Sequence, residues 1–491
     1  MRPAVAFVVA VGAVGAAVGA ASGLHTSATT PTAHAVAVSA PLVGAELVCP
    51  DAMERTVGQV SRITRIGVAV PSTTVAGAHP AGGTVTIGRL DGHRTTTLLT
   101  APGRARVVGA TSYQGDVVVA GRGGLAPGLS ADELGRRDGG PYRGLDGVAC
   151  SAPGDSAWLI GASTTVGAHA ELRLANIDDS AAIVDVDLFG PHGVINARGA
   201  TGLSVAPHRT RVVAVDTLAP AQSLLLVHVK ADTGRVAVAL RQQLQFASTP
   251  HGQDWVPLGT APARSVGVPG LAAGLGPRAL LIGNPGDVDA TVSIRLIRGD
   301  VAFVPRGLSA VTVPAGSVAS VDISKGLATK PGGAVVTSDR PVVAGASMNT
   351  GPRVTGIAEQ AFTAGVPALS GHATAVVNYV RRRSSQLVLS APAAAANVQV
   401  STLAGVGPSG GHATTVHVAA GRTVVYDLRP LSRGQLLVAV TVSPLAGSGP
   451  VYAARDEFEF GANGPMFTVL PLVAAPVAAT IPPAALDAHA R

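Results

Sequence analysis

Four histidines, His169, His192, His208 and His228, fall in one stretch of the chain with Asp185, Asp187 and Asp216. Hydrolytic chemistry needs a nucleophile held by a base that a third group orients, so this stretch is where such a site would assemble. No nucleophile elbow of the G-x-S-x-G type occurs. Two later stretches align with this one, and there His208 is matched by Pro314 with Ala315 and by Ala419 with Ala420. A catalytic role would therefore be confined to one copy.

Oxygen-rich turns are the next candidates. Asn176, Asp178 and Asp179 align with Asn284, Asp287 and Asp289. Such groups can hold calcium. They are also turn formers whose side chains bond the local backbone. The third copy reads "APAAAAN" from Ala391, a set of residues that no metal site could use, so the turn reading is preferred. "GRGG" at Gly121–Gly124 lacks the Lys and Ser/Thr of a phosphate-cradling loop, and "RGD" at Arg298–Asp300 reads as a plain turn. No cofactor motif is present. Cys49 and Cys150 have no neighbouring His pairs, which argues against zinc; in an exported chain the pair suggests a disulfide. Trp158 and Trp255 each precede a repeat, and Arg381, Arg382 and Arg383 precede the third. Two readings stand: core plugs beside a solvated basic strand edge, or a ligand groove shared between repeats.

The elements that must position these residues are written in β-strand language. "LRLANIDDSAAIVDVDLFG" from Leu172, "LLIGNPGDVDATVSIRLIR" from Leu280 and "LVLSAPAAAANVQVSTLAG" from Leu387 align, and a second matched element recurs at Asp216, Asp322 and Asp427. A period of about a hundred residues is a whole small domain, not a solenoid unit. Within each copy apolar residues alternate with polar ones, as at Val184, Val186 and Leu188, giving strands with one buried face. Short strands with turns every 8 to 12 residues or so point to two-sheet sandwiches. A propeller would repeat at about 40 to 50 residues, and a dinucleotide fold would need helices that the pattern lacks. The one helical signal is "SADELGRR" at 130–137, with Ser130 as N-cap and Glu133 three residues on, inside a Gly- and Arg-rich loop over 122–146.

The expected fold is therefore all-β: tandem Ig-like β-sandwich repeats preceded by a disulfide-closed β region and an N-terminal signal or anchor segment. The expected organisation is a signal peptide or signal anchor at 1–23, a Ser/Thr/Pro-rich stalk at 24–45, an N-terminal β region at 46–150, and repeats at 151–250, 251–350 and 351–460. A C-terminal strand and loose tail would fill 461–491. The apolar run after Arg2 suits a secretory h-region or a weak membrane anchor and implies export, anchored or secreted. The chain is 47% hydrophobic and 13% charged, which excludes general disorder, and only 3% aromatic, which argues against base-stacking nucleic-acid platforms. Its net charge of +7 is a mild bias towards anionic partners.

"GLDGVACSAPGDSAWLIGAS", "LRLANIDDSAAIVDVDLFGPHG" and "ALLIGNPGDVDATVSI" resemble a family of uncharacterised exported actinobacterial proteins, a domain of unknown function. The resemblance runs from about Cys49 to about Pro471. It rests on Trp158 and Trp255, the turn Asn284–Asp287, Val313–Ser317 and Pro341–Ala344; the third copy departs at Ala391–Pro392. It implies export and β-repeats and carries no catalytic residues. The expected role is a non-enzymatic envelope scaffold or interaction module, with a cell-envelope polymer or membrane protein as partner. The alternatives are an accessory that binds or helps assemble envelope glycan, and a hydrolase acting on the envelope.

Overall fold

The computed structural model describes residues 38–50, 62–74, 77–78, 82–110, 113, 115–137, 139–140, 143–246, 249–274, 276–350, 358–376, 383–403, 412–429, 439–461 and 464–481. The expected signal or anchor segment at 1–23, the expected stalk as far as residue 37, and Arg381 and Arg382 lie outside the described residues. The final stalk residues do form strands: β1 (Val38–Pro41) and the start of β2 (Gly44–Cys49).

The first sandwich continues with β3 (Arg62–Val70), the short β4 (Thr73–Thr74) and β5 (Gly77–Ala78), β6 (Gly83–Arg89), β7 (Thr96–Leu99), β8 (Arg104–Gly109), β9 (Val117–Gly123), β10 (Ser130–Arg137) and β11 (Gly144–Ala149). Its sheets run β2-β9-β6-β7 and β8-β3-β10-β11, with β4 and β5 paired separately. Period-two side chains such as Ile66, Val68 and Val70 meet Val85, Ile87, Val117 and Val119 in the core. The disulfide Cys49–Cys150 ties the end of β2 to the residue after β11, across a sequence separation of 101.

The segment 130–137, expected to be a short helix in a long loop, is instead strand β10. It pairs along its length with β3 and over six residues with β11. The capping signal was overridden because Asp132, Glu133 and Arg137 are buried in the fold and Asp132 is paired with the distant Arg455.

The second sandwich comprises β12 (Ser156–Ala162), β13 (Ala168–Asn176), β14 (Ala182–Gly190), β15 (Gly193–Ile195), β16 (Leu203–Val205), β17 (Arg209–Ala214), the one-turn α1 (Val215–Leu218), β18 (Leu225–Thr233), β19 (Ala237–Phe246) and β20 (Thr249–Val256). Its sheets are β12-β18-β14-β15, with β16 also on β14, and β17-β13-β19-β20. The third has β21 (Ala263–Leu271), β22 (Arg278–Asn284), β23 (Ala290–Arg298), β24 (Ala302–Phe303), β25 (Val311–Val313), β26 (Ser317–Asp322), α2 (Ser324–Leu327), β27 (Gly332–Asn349) and β28 (Gln360–Ala364). Strand β27 serves both sheets. Its first part pairs with β21 and β23, and from Val343 it pairs with β22 and β28. Pro341, which has no N–H to offer a ladder, stands at the change of sheet.

The fourth sandwich is β29 (Ala373–Val376), β30 (Arg383–Ala391), β31 (Ala396–Leu403), β32 (Ala413–Val418), β33 (Arg422–Asp427), β34 (Ala439–Pro444), β35 (Tyr452–Gly461) and β36 (Gly464–Leu472). Its sheets are β29-β34-β31-β32 and β33-β30-β35-β36. The last strand, β37 (Ala478–Ile481), pairs with β1.

Strand order is the same in all four sandwiches. The N-terminal β region is thus a fourth copy of the repeated unit. The closing strands of the second and third copies lie beyond the expected boundaries, β20 running past 250 and β28 lying past 350, while β36 falls in the segment expected to hold a C-terminal strand and loose tail. These closing strands organise the unit Pro41–Ala478. β11 packs beside β20 and β36, and β28 packs beside the same two, so the four copies close a ring around their final strands.

The centre of the ring is polar. Asp254 accepts N–H donors from Gly147 at 3.0 Å and Trp255 at 2.9 Å, and the Thr468 hydroxyl at 2.9 Å. Gly147 is required there, because a Cβ would stand 2.7 Å from Leu470 and 2.9 Å from the Thr468 hydroxyl. Arg143 joins Glu359 at 3.4 Å and donates to the Gly464 carbonyl at 2.7 Å. Arg455, buried completely, reaches Asp132 at 2.8 Å and Glu457 at 3.2 Å, and Arg136 reaches Glu459 at 2.5 Å. Burial nevertheless pushes Asp254 and Glu359 well above the usual carboxylate range. Arg143 opposes this at Glu359, while the charges of neighbouring acids add to it at both.

Candidate functional site

Three adjacent strands build the densest chemical arrangement on an outer face. In the sheet β12-β18-β14, Trp158 stands opposite His228, and His228 opposite Asp187. Register alone thus places an aromatic, an imidazole and a carboxylate in one row on the same face. The rings of Trp158 and His228 stack with centroids 3.7 Å apart and planes 9° from parallel. His228 Nδ1 lies 3.0 Å from Asp187 Oδ2, and Nε2 lies 3.0 Å from Ser156 Oγ. Partial burial under the indole lowers the His228 pKa, against the opposing pull of Asp187. The imidazole is therefore neutral near pH 7, donating from Nδ1 to Asp187 and accepting the Ser156 hydroxyl proton at Nε2.

Trp158 also lines an open groove of about 380 Å³ that runs to the third sandwich. Across from it lie Pro285, Asp287 and Val288 of the β22–β23 turn, with Arg340 and Pro341 at the sheet change of β27. The turn is rigid for a local reason. Asn284 is fully buried; its Nδ2 donates to the carbonyls of Val288 at 2.8 Å and Val313 at 3.1 Å, and its Oδ1 accepts the Gly286 N–H at 3.1 Å. Asn176 makes the matching bonds to Ser180, Val205 and Asp178. Both oxygen-rich turns are thus built by a buried Asn that bonds the backbone, as the turn reading expected. Among the described residues no group of three or more His, Cys, Asp or Glu could hold a metal ion.

The other sequence candidates are dispersed. Trp255 is 1% exposed and packs with Val148 and Ala239, its ring under the Arg241 guanidinium at 5.9 Å. Arg383 is buried against Glu459 at 3.4 Å. These two residues do not line the groove at Trp158. The register explains this: Trp255 sits on a closing strand that faces the ring, Trp158 on an outer sheet. The histidines pair separately, His169 with Asp216 at 3.3 Å, His208 with Asp179 at 2.8 Å, and His228 with Asp187. Ser156 was not singled out in the sequence, because its link to His228 follows from strand register. Asp300 of the "RGD" turn is occupied by Arg298 at 3.1 Å and Lys330 at 2.8 Å.

No helix among the described residues is long and apolar enough to cross a membrane. No curated protein matches the chain. The model of a family described as "Family of unknown function (DUF5719)" matches residues 103–429. The match begins in the first sandwich, passes through the second and third, and ends just after β33, so well over half of the chain is covered and the protein belongs to this family of unknown function.

Proposed function

We propose that the protein is an exported, non-enzymatic interaction module of the cell envelope that takes envelope saccharide in the groove at Trp158. The observation that carries this reading is the indole itself, held by its stack on His228 at the wall of an open groove between two sandwiches. A sugar presents an apolar C–H face and a polar rim. Trp158, Pro285 and Pro341 supply apolar surface for the first. Asp287 and Arg340, neither engaged in an ion pair among the described residues, supply an acceptor and a donor for the second. A groove on a rigid scaffold with few polar groups in fixed places is the ordinary form of a small-ligand site. The closed ring of sandwiches provides the rigidity, and the N-terminal apolar run supports export.

The test is co-sedimentation of residues 38–481 with isolated cell-wall material at low and high salt. Binding that survives salt and is lost in Trp158→Ala supports the groove. Binding lost with salt and unchanged in Trp158→Ala would reduce the interaction to surface charge and overturn it.

A second reading is hydrolytic, because Ser156, His228 and Asp187 stand in the order nucleophile, base and orienting acid at 3.0 Å each. In that role His228 Nε2 would take the Ser156 proton and Asp187 would steady the imidazolium. The surroundings favour it less. Strand N–H groups lie in the plane of the sheet and side chains stand perpendicular to it, so this face does not aim main-chain donors at an oxyanion formed on Ser156. Release of p-nitrophenol from p-nitrophenyl acetate, lost in Ser156→Ala, would establish the hydrolytic reading over the first.

A further inference from the structure

The third and fourth sandwiches enclose a second cavity, of about 340 Å³, remote from Trp158. One wall is the outer face of the β30-β35-β36 sheet. Asp456, Phe458 and Phe460 follow one another there by period two, and Phe467 stands opposite Phe458. The facing wall brings Met348 and Arg278 from the third sandwich. The volume lies in the range of about 300–1,000 Å³ typical of small-molecule sites, and an aromatic and thioether lining suits an apolar body.

Two polar groups set the character of this cavity. Arg278 is 4% exposed; its Nε donates to the Ala272 carbonyl at 2.8 Å and its Nη2 to that of Gly274, and it has no carboxylate partner among the described residues. Burial lowers its pKa, which marks a cation without counter-charge. Asp456 Oδ1 is buried with no hydrogen-bond partner. Burial, aided by the neighbouring Glu457 charge, holds that carboxyl well above its ordinary range. Glu457 also lines the cavity, fully buried, with Ser385 Oγ at 2.7 Å and Oε2 without a partner. The cavity thus offers donors and an uncompensated positive charge. A buried charge is costly until it is paired.

We propose that this cavity binds a small amphiphilic carboxylate, its head group on Arg278 and its apolar body against Met348, Phe458 and Phe467. A ligand ammonium would instead meet the Arg278 charge. The site is independent of the Trp158 groove and can exist whether or not that groove takes saccharide.

The experiment is calorimetric titration of the protein with decanoate, decanol and decylammonium, below their aggregation concentrations. Decanoate is expected to bind at least about tenfold more tightly than decanol, the scale of a charge-assisted hydrogen bond, and decylammonium most weakly. Arg278→Met is expected to bring decanoate down to the decanol affinity. Because Arg278 also holds the 272–274 loop, a second arm uses the unaltered chain. Decanoate affinity should fall as pH rises and Asp456 ionises, and Asp456→Asn should remove that fall. In the Trp255→Phe protein, Trp158 emission should stay unchanged throughout. Equal affinity for decanoate and decanol, preference for decylammonium, or no binding by any probe would overturn the proposal.

Discussion

Thr468 donates its hydroxyl to Asp254 at 2.9 Å, a bond from the fourth sandwich into the second. Gly147 of the first sandwich donates to the same carboxyl, and Glu359 of the third, which feels the Asp254 charge, pairs with Arg143 at 3.4 Å. Groups from all four copies therefore converge where the closing strands meet. Buried polar groups of this kind are destabilising when half-satisfied and specify one arrangement when satisfied.

Stability should fall as pH rises. The folded-state pKa values of Asp254 and Glu359 are raised above those of the unfolded chain. Their contribution is therefore fully present below the ordinary carboxylate range and is lost as pH rises through the raised values. Thermal melts between about pH 5 and about pH 9 should show a declining midpoint. Asp254→Asn retains an oxygen for the Gly147 and Trp255 N–H groups and needs no proton, so it should flatten the slope. An unchanged slope in that variant would show that Asp254 does not titrate in this way.

Arg455→Leu should cost about 3–5 kcal/mol, because it strands Asp132 and Glu457 in the interior without their cation. Adding Asp132→Asn should recover part of the loss. Urea denaturation measures both. A loss below about 1 kcal/mol, the value of an exposed pair, would mean that water reaches the network.

Reducing Cys49–Cys150 releases a loop of 101 residues' separation, worth about 4–5 kcal/mol on the chain-entropy account. The melting midpoint should drop on addition of dithiothreitol, and the Cys49→Ser, Cys150→Ser protein should match the reduced form. A midpoint insensitive to reductant would show that the pairing of Val48 with Ser151 already holds these ends.

Much of the fold was legible because three copies share period-two patterning and two of them a common turn. Asn176 and Asn284 betrayed that turn by residue type, and the aligned apolar positions form the cores of the second and third sandwiches. The first sandwich hid its kinship: it has no such Asn turn, and its β10 carries Asp132, Glu133, Arg136 and Arg137, a charge run that reads as a solvated helix. Asp132 and Arg136 find their partners across the ring, in Arg455 and Glu459 more than three hundred residues away. Local sequence holds no record of such partners. The same applies to the site. Trp158 was a visible candidate, but its stack on His228, the Ser156 link and the groove wall at Arg340 depend on register and on how two copies meet. Trp255, the same residue type in a matching place, turned inward.

The claim at the centre of this account is that Trp158 contacts ligand in an open groove. The chain contains two tryptophans, Trp158 and the buried Trp255, so Trp255→Phe leaves Trp158 as the single reporter. Titrating that protein with solubilised cell-wall saccharide should shift and saturate its emission and shield it from iodide, while the Trp158→Phe protein shows no response. An emission spectrum unmoved in the first protein while wall material still binds would contradict the account and place the contact elsewhere on the ring.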